Sequence, residues 1–109
     1  MDETVRQELE IIKQGVLHTV PNAEAIYLFG SHAYGTPHKN SDLDIYVVVP
    51  DSLKAHPLEI NADILSHLYK KTNMPIDLMV NRASVFKRRS QGPTLQRTIV
   101  NKGVRLHGA

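Results

Sequence analysis

Ala25-Ile26-Tyr27-Leu28-Phe29 is an apolar run that stops at Gly30-Ser31. After the turn His32-Ala33-Tyr34-Gly35 and a polar spacer comes Asp42-Leu43-Asp44-Ile45-Tyr46-Val47-Val48-Val49. Short apolar runs rich in branched and aromatic residues, bounded by turn residues, read as buried strands. Ser31 is placed to cap a short helix or turn through Tyr34, closed by Gly35. Strand alternation puts Leu43, Ile45, Val47 and Val49 on one face. Asp42 and Asp44 then share the other face with Tyr46 and Val48.

Upstream, Val5, Leu9, Ile12, Val16 and Val20 recur at helical spacing and predict a helix, with a capping box at Thr4 to Gln7 and a stop at Pro21-Asn22. Gly15 weakens that helix slightly. Downstream, Leu58, Ala62, Leu65 and Tyr69 mark a second helix ending at Lys70-Lys71. Residues 75–80 read as a third strand, with Asp77 and Met79 opposite Ile76, Leu78 and Val80. A helix is expected near Ala83 to Arg89 and another over Pro93 to Lys102, with Gly103 as its stop. Val104 to His107 reads as a short edge strand. The order predicts an α/β (α+β) fold, a small mixed sheet of three to four strands with helices packed on it, in a single domain over 1–109.

The chain has 109 residues and 41% hydrophobic content, enough for one core and little more. It has no cysteine, which removes disulfides, thiolate metal sites and cysteine nucleophiles together. No apolar run approaches the roughly 20 residues of a membrane span. The start Met1-Asp2-Glu3 lacks the features of a signal peptide, so the expected location is cytoplasmic with no membrane partner. Of the 11 carboxylates, only Asp77 follows Asp63, against nine Lys and Arg. That half of the chain, above all Lys87-Arg88-Arg89, is a basic surface, either solvated or attractive to phosphate, RNA or an acidic partner.

The chemistry centres on the acids. Asp42 and Asp44, side by side, repel each other unless a cation sits between them. Hard carboxylate oxygens suit Mg²⁺, or Mn²⁺ in its place, and magnesium prefers one or two carboxylates with waters and substrate phosphates. The bland alternative is a solvent-facing strand start. Gly30-Ser31 weighs against it, because a strand-to-helix corner with a glycine aims backbone N–H groups at one spot, a seat for phosphate oxygens. Asp77, between Ile76 and Leu78, would be costly to bury unpaired and reads as a third ligand. The histidines show no zinc spacing; His32 and His38 flank the turn.

Phe29-Gly30-Ser31, ten intervening residues, Asp42-Leu43-Asp44-Ile45 and then Asp77 resemble the signature of the DNA polymerase beta-type nucleotidyltransferases. Within that superfamily the chain is similar to the minimal nucleotidyltransferases, small prokaryotic proteins that act beside a helical HEPN-type toxin and attach AMP to it. The resemblance implies a nucleotidyltransferase fold and transfer of a nucleoside monophosphate from a triphosphate, ATP first, to an acceptor hydroxyl. It implies Asp42, Asp44 and Asp77 as catalytic residues and ligands of two Mg²⁺ ions, and Gly30, Ser31, Lys39 and Ser41 as nucleotide contacts. Many relatives read Gly-Ser-x-Ala-Arg-Gly at the turn; here Tyr34 replaces the arginine, and Lys39 or His38 could supply the charge. Two readings of other classes compete: a catalytically silent module that neutralises a helical partner by contact, and a small basic RNA-binding domain. The second lacks the aromatic platform of single-strand binders, since only Phe86 lies among the basic residues.

Overall fold

The stripe that begins at Val5 folds as helix α1, Glu3–Thr19, in a computed structural model that describes residues 1–38 and 40–108. Val5, Leu9, Ile12, Val16 and Val20 are all buried. The cap differs from the expected box. Asp2, not Thr4, caps α1, and its Oδ1 accepts the Thr4 N–H at 2.7 Å. Thr4 already lies inside the first turn, and a carboxylate at the helix start also complements the positive helix end.

Strand β1, Ala25–Phe29, is buried throughout, and the short helix α2, Ser31–Tyr34, follows it at once. The residue capping α2 is Gly30 at φ 75°, so Ser31 is the first helical residue and not the cap. A sharp strand-to-helix corner needs that positive φ, which glycine adopts freely and serine does not. Strand β2, Leu43–Val49, begins one residue later than expected and leaves Asp42 just outside it.

Helix α3, Pro57–Leu68, is where the expected face is reversed. Ile60, Ile64 and Leu68 are buried, whereas Leu58 is 74% exposed and Tyr69 73% exposed, with Ala62 and Leu65 also outside. Both sets are apolar at helical spacing, so periodicity alone had two solutions. Packing against α1 decides between them: a Cβ on Gly15 would collide with the Leu68 side chain, so the two helices touch through the glycine that looked like a weakness.

Strand β3, Ile76–Arg82, runs two residues past the expected end. Helix α4, Ala83–Arg89, follows directly, and helix α5 spans Leu95–Lys102. It starts after Pro93, because the Thr94 hydroxyl oxygen accepts the Arg97 N–H at 3.2 Å and sets the boundary. Gly103, in an extended conformation, leads into strand β4, Val104–His107.

The four strands form one mixed sheet in the order β3-β2-β1-β4. β1 is antiparallel to β2 and β4, and β2 is parallel to β3. Each face carries its own core. Ile26, Leu28, Leu43, Ile45, Val47 and Val49 pack with α1 and α3; Tyr27, Tyr46 and Val48 pack with Phe86 of α4 and Ile99 of α5. No helix of the described residues is long and apolar enough to cross a membrane.

Candidate active site

β1 arrives at one end of the sheet with Phe29, and β2 and β3 both depart from it. The registers align Phe29 with Asp44 and Asp44 with Asp77, so the three lie in one row across adjacent strands. Side chains in such a row share a face, here the face of Tyr46 and the α4–α5 layer. Phe86 covers the middle of that face, its ring 5.2 Å from Tyr46 and 5.6 Å from Tyr27. The carboxylates sit beyond it, with Asp44 half-buried and Asp77 exposed. Asp77 therefore bears less burial cost than its apolar neighbours suggested; its position in the row is what ties it to Asp44.

Asp44 and Asp77 are register partners on adjacent strands, and each carboxylate lies within the other's electrostatic reach. Burial, then the charges of Asp77 and Asp42, hold the Asp44 carboxyl above its ordinary range; nearby His32 pulls the other way. Asp42 is exposed, in the residue before β2, and still close enough to contribute.

Gly30 lies against this group. A Cβ there would collide with the Asp44 carboxylate, so the turn's backbone and the acid share one cradle. The N–H groups of Ala33 and Tyr34 return to the Gly30 carbonyl at 3.0 and 3.1 Å. Those of Ser31 and His32 precede the first intrahelical bond and are the ones a helix start offers outward. Ser41 is tied into its loop: its Oγ accepts the His38 N–H at 2.7 Å, and its carbonyl lies 3.2 Å from His32 Nε2. Lys39 lies outside the described residues.

Among the described residues, no group of three His, Cys, Asp or Glu side chains is arranged to hold a metal ion by itself. The donor set nevertheless suits magnesium. It is all hard oxygen, its members repel one another, and Mg²⁺ completes its shell with water and phosphate where calcium or zinc would take more from the protein.

Two residues escaped the sequence reading. Glu8 is 4% exposed, and its Oε1 accepts the backbone N–H groups of Asn73 at 2.5 Å and Met74 at 2.8 Å, pinning the approach to β3 onto α1. Its signal was an acid on the apolar stripe, one position before Leu9. The Tyr46 hydroxyl, fully buried, accepts from Asn81 at 2.7 Å and from Gln96 at 3.2 Å, which locks α5 to the sheet beneath the site. The basic residues Lys87, Arg88, Arg89, Arg97 and Lys102 all lie on α4 and α5, on the carboxylates' side of the sheet.

The family described as "Polymerase beta, Nucleotidyltransferase" matches residues 10–108. This chain belongs to the polymerase beta nucleotidyltransferase family. Protein adenylyltransferase MntA of Shewanella oneidensis is 53% identical over 34 residues, which is 31% of this chain and 24% of that protein. The match thus spans about a quarter of the length of that curated relative. The crystal structure of a toxin–antitoxin with AMP-PNP is 28% identical, with a TM-score of 0.61, over 93% of this chain and 73% of that one. The complex of a tri-AMPylated HEPN toxin from Shewanella oneidensis with its MNT antitoxin shares the fold, at 24% identity and a TM-score of 0.55, over 95% of this chain and 72% of that one. The nucleotidyltransferase fold expected from the sequence is therefore the fold observed.

Proposed function

We propose that this domain transfers AMP from ATP to a hydroxyl of a protein partner, a HEPN-type toxin, and so acts as its antitoxin in the cytoplasm. The observation that carries this reading is the row of Asp44 and Asp77 beside the Gly30 turn. It brings carboxylates that need a cation and a backbone that can receive phosphate into one cradle. The protein adenylyltransferase name of its relative and the AMP-PNP bound in a similar toxin–antitoxin complex support it.

Asp42, Asp44 and Asp77 would hold Mg²⁺, two ions in this reading, with Mn²⁺ as a substitute. The metal would supply charge at the attacking and leaving oxygens of an in-line displacement. Gly30 and Ser31 bind the β- and γ-phosphates through backbone N–H groups and the Ser31 hydroxyl, with Ser41 and Lys39 as further nucleotide contacts in this reading. Asp77, the exposed member of the pair, receives the proton of the acceptor hydroxyl. The acceptor oxygen then bonds to the α-phosphorus as the bond to pyrophosphate breaks. Positioning and fixed charge account for most of the acceleration, as in other phosphoryl transfers.

Calorimetry of ATP binding with and without Mg²⁺, on wild type and on Asp42→Asn/Asp44→Asn, tests this. Metal-dependent binding that disappears in the variant is expected. A folded wild type that binds none of the four nucleoside triphosphates, alone or with a HEPN-type partner, would overturn it in favour of a silent partner-binding module.

A further inference from the structure

Asp42 stands outside β2 on an exposed stretch, yet its reading requires a fixed distance from Asp44 and from the Gly30 turn. Two backbone anchors flank it. On one side the Leu43 N–H donates to the Pro75 carbonyl at 2.9 Å, which fastens the chain to the start of β3. On the other side the Ser41 carbonyl lies 3.2 Å from His32 Nε2. A carbonyl only accepts, so Nε2 carries the proton and donates. Among the described residues of this turn, the Ser41 N–H reaches the His38 carbonyl at 3.1 Å, and the His38 N–H reaches Ser41 Oγ. Those bonds shape the turn but do not attach it to the body of the domain.

We propose that His32 is a positioning residue, whose ring clamps the Ser41 carbonyl to α2 and so holds Asp42 at a set distance from the phosphate-facing turn. The inference rests on the nucleotide reading above. His32 follows Ser31 directly, so one two-residue step of backbone offers N–H groups to phosphate and also grips the chain that carries Asp42. Among the described residues, loss of the clamp leaves the Leu43 bond on one side of Asp42 and, six residues back, the Thr36 N–H donating to the Ser31 carbonyl at 2.9 Å, so Asp42 rides on a longer tether. The cost falls on binding of the metal–triphosphate complex, because a carboxylate that must be ordered on binding contributes less than one already in place.

The His32 clamp is separable from simple packing by choice of side chain. In His32→Gln the amide Nε2 lies as many bonds from Cβ as the imidazole Nε2, so the donor is retained. In His32→Asn the amide takes the place of Nδ1 and falls short. In His32→Phe the ring is retained and the donor is lost.

Amide hydrogen exchange of apo protein over residues 36–43, and calorimetry with Mg·ATP, are read on all four proteins. His32→Phe and His32→Asn are expected to exchange faster across this segment and to bind Mg·ATP about fivefold more weakly, the worth of one hydrogen bond of about 1 kcal/mol. His32→Gln is expected to stay close to wild type in both. Wild-type protection in His32→Phe overturns the clamp. Faster exchange with unchanged Mg·ATP affinity makes the bond structural and overturns the positioning role, as does a His32→Gln as weak as His32→Phe. A wild type that does not bind Mg·ATP overturns the nucleotide reading and this role with it, whatever the exchange of the His32 variants.

Discussion

Asp44 and Asp77 face each other as register partners on the parallel neighbours β2 and β3, and the Asp77 charge helps to raise the Asp44 carboxyl above its ordinary range. Without a cation, burial and the neighbouring charges of Asp77 and Asp42 disfavour the ionised Asp44 carboxyl in the folded domain. The charge that makes the site useful is thus the charge that makes the empty domain less stable.

The pH dependence follows from the direction of the Asp44 shift. Its folded-state pKa lies above the ordinary value, with burial as the main cause and Asp77 and Asp42 next. The native state therefore binds more protons than the unfolded one between those two values, and stability falls as pH rises through that window. Apo thermal melts from pH 3.5 to 8 should show this fall in wild type and a shallower one in Asp44→Asn. At pH 7.5 Mg·ATP should raise the wild-type melting temperature and leave the variant unmoved. An Asp44→Asn that melts well below wild type in the apo state would contradict the pairing.

Asp77→Asn keeps the shape of the exposed acid and removes its capacity to take a proton. Transfer to the partner is expected to drop by roughly 10²–10³-fold, comparable to loss of one charge-stabilising group elsewhere. The measurement is single-turnover transfer of labelled AMP, beside a circular dichroism spectrum that should be unchanged.

Glu8 is a stability prediction away from the chemistry. Glu8→Ala leaves two part-buried N–H groups, of Asn73 and Met74, without their acceptor. The expected cost is roughly 2–4 kcal/mol, or a melting temperature lower by about 10–20 °C. Urea denaturation of the variant against wild type decides it, and a loss below about 0.5 kcal/mol would mean that water takes over both bonds.

The reversed face of α3 gives an opposed pair of outcomes. Ile64→Ala should cost about 2–5 kcal/mol, as truncation of a fully buried branched side chain does. Leu58→Ala and Tyr69→Ala should each stay within about 0.5 kcal/mol of wild type. Equal losses in all three would restore the face that periodicity first suggested.

Much of this was legible in the sequence because the informative residues are local. The β1 run, the Gly30 corner and the alternation of β2 are each set within a few positions, and they place Asp42 and Asp44 without reference to the rest of the chain. β3 was legible as a strand, but that Asp77 pairs with Asp44 depends on a register formed across an intervening helix. The choice between two apolar stripes on α3 was not legible, since it is made by contact with Gly15 on α1. Asp2 and Thr4 both suit a helix start, and the sequence alone does not rank them; the chain's first turn already includes Thr4. His32 and Glu8 act on backbone groups far along the chain, and no spacing rule reports such bonds.

The contact between Gly30 and Asp44 links the histories of two positions. While Asp44 keeps its present position, a Cβ at position 30 would displace its carboxylate, apart from the backbone's own preference at φ 75°. A descendant that lost its acid there would be released from the steric half of that constraint. Replacement of the glycine in a homologue would then mark a lineage in which the cradle has already fallen out of use, and Gly30→Ala should be milder beside Asp44→Ala than alone.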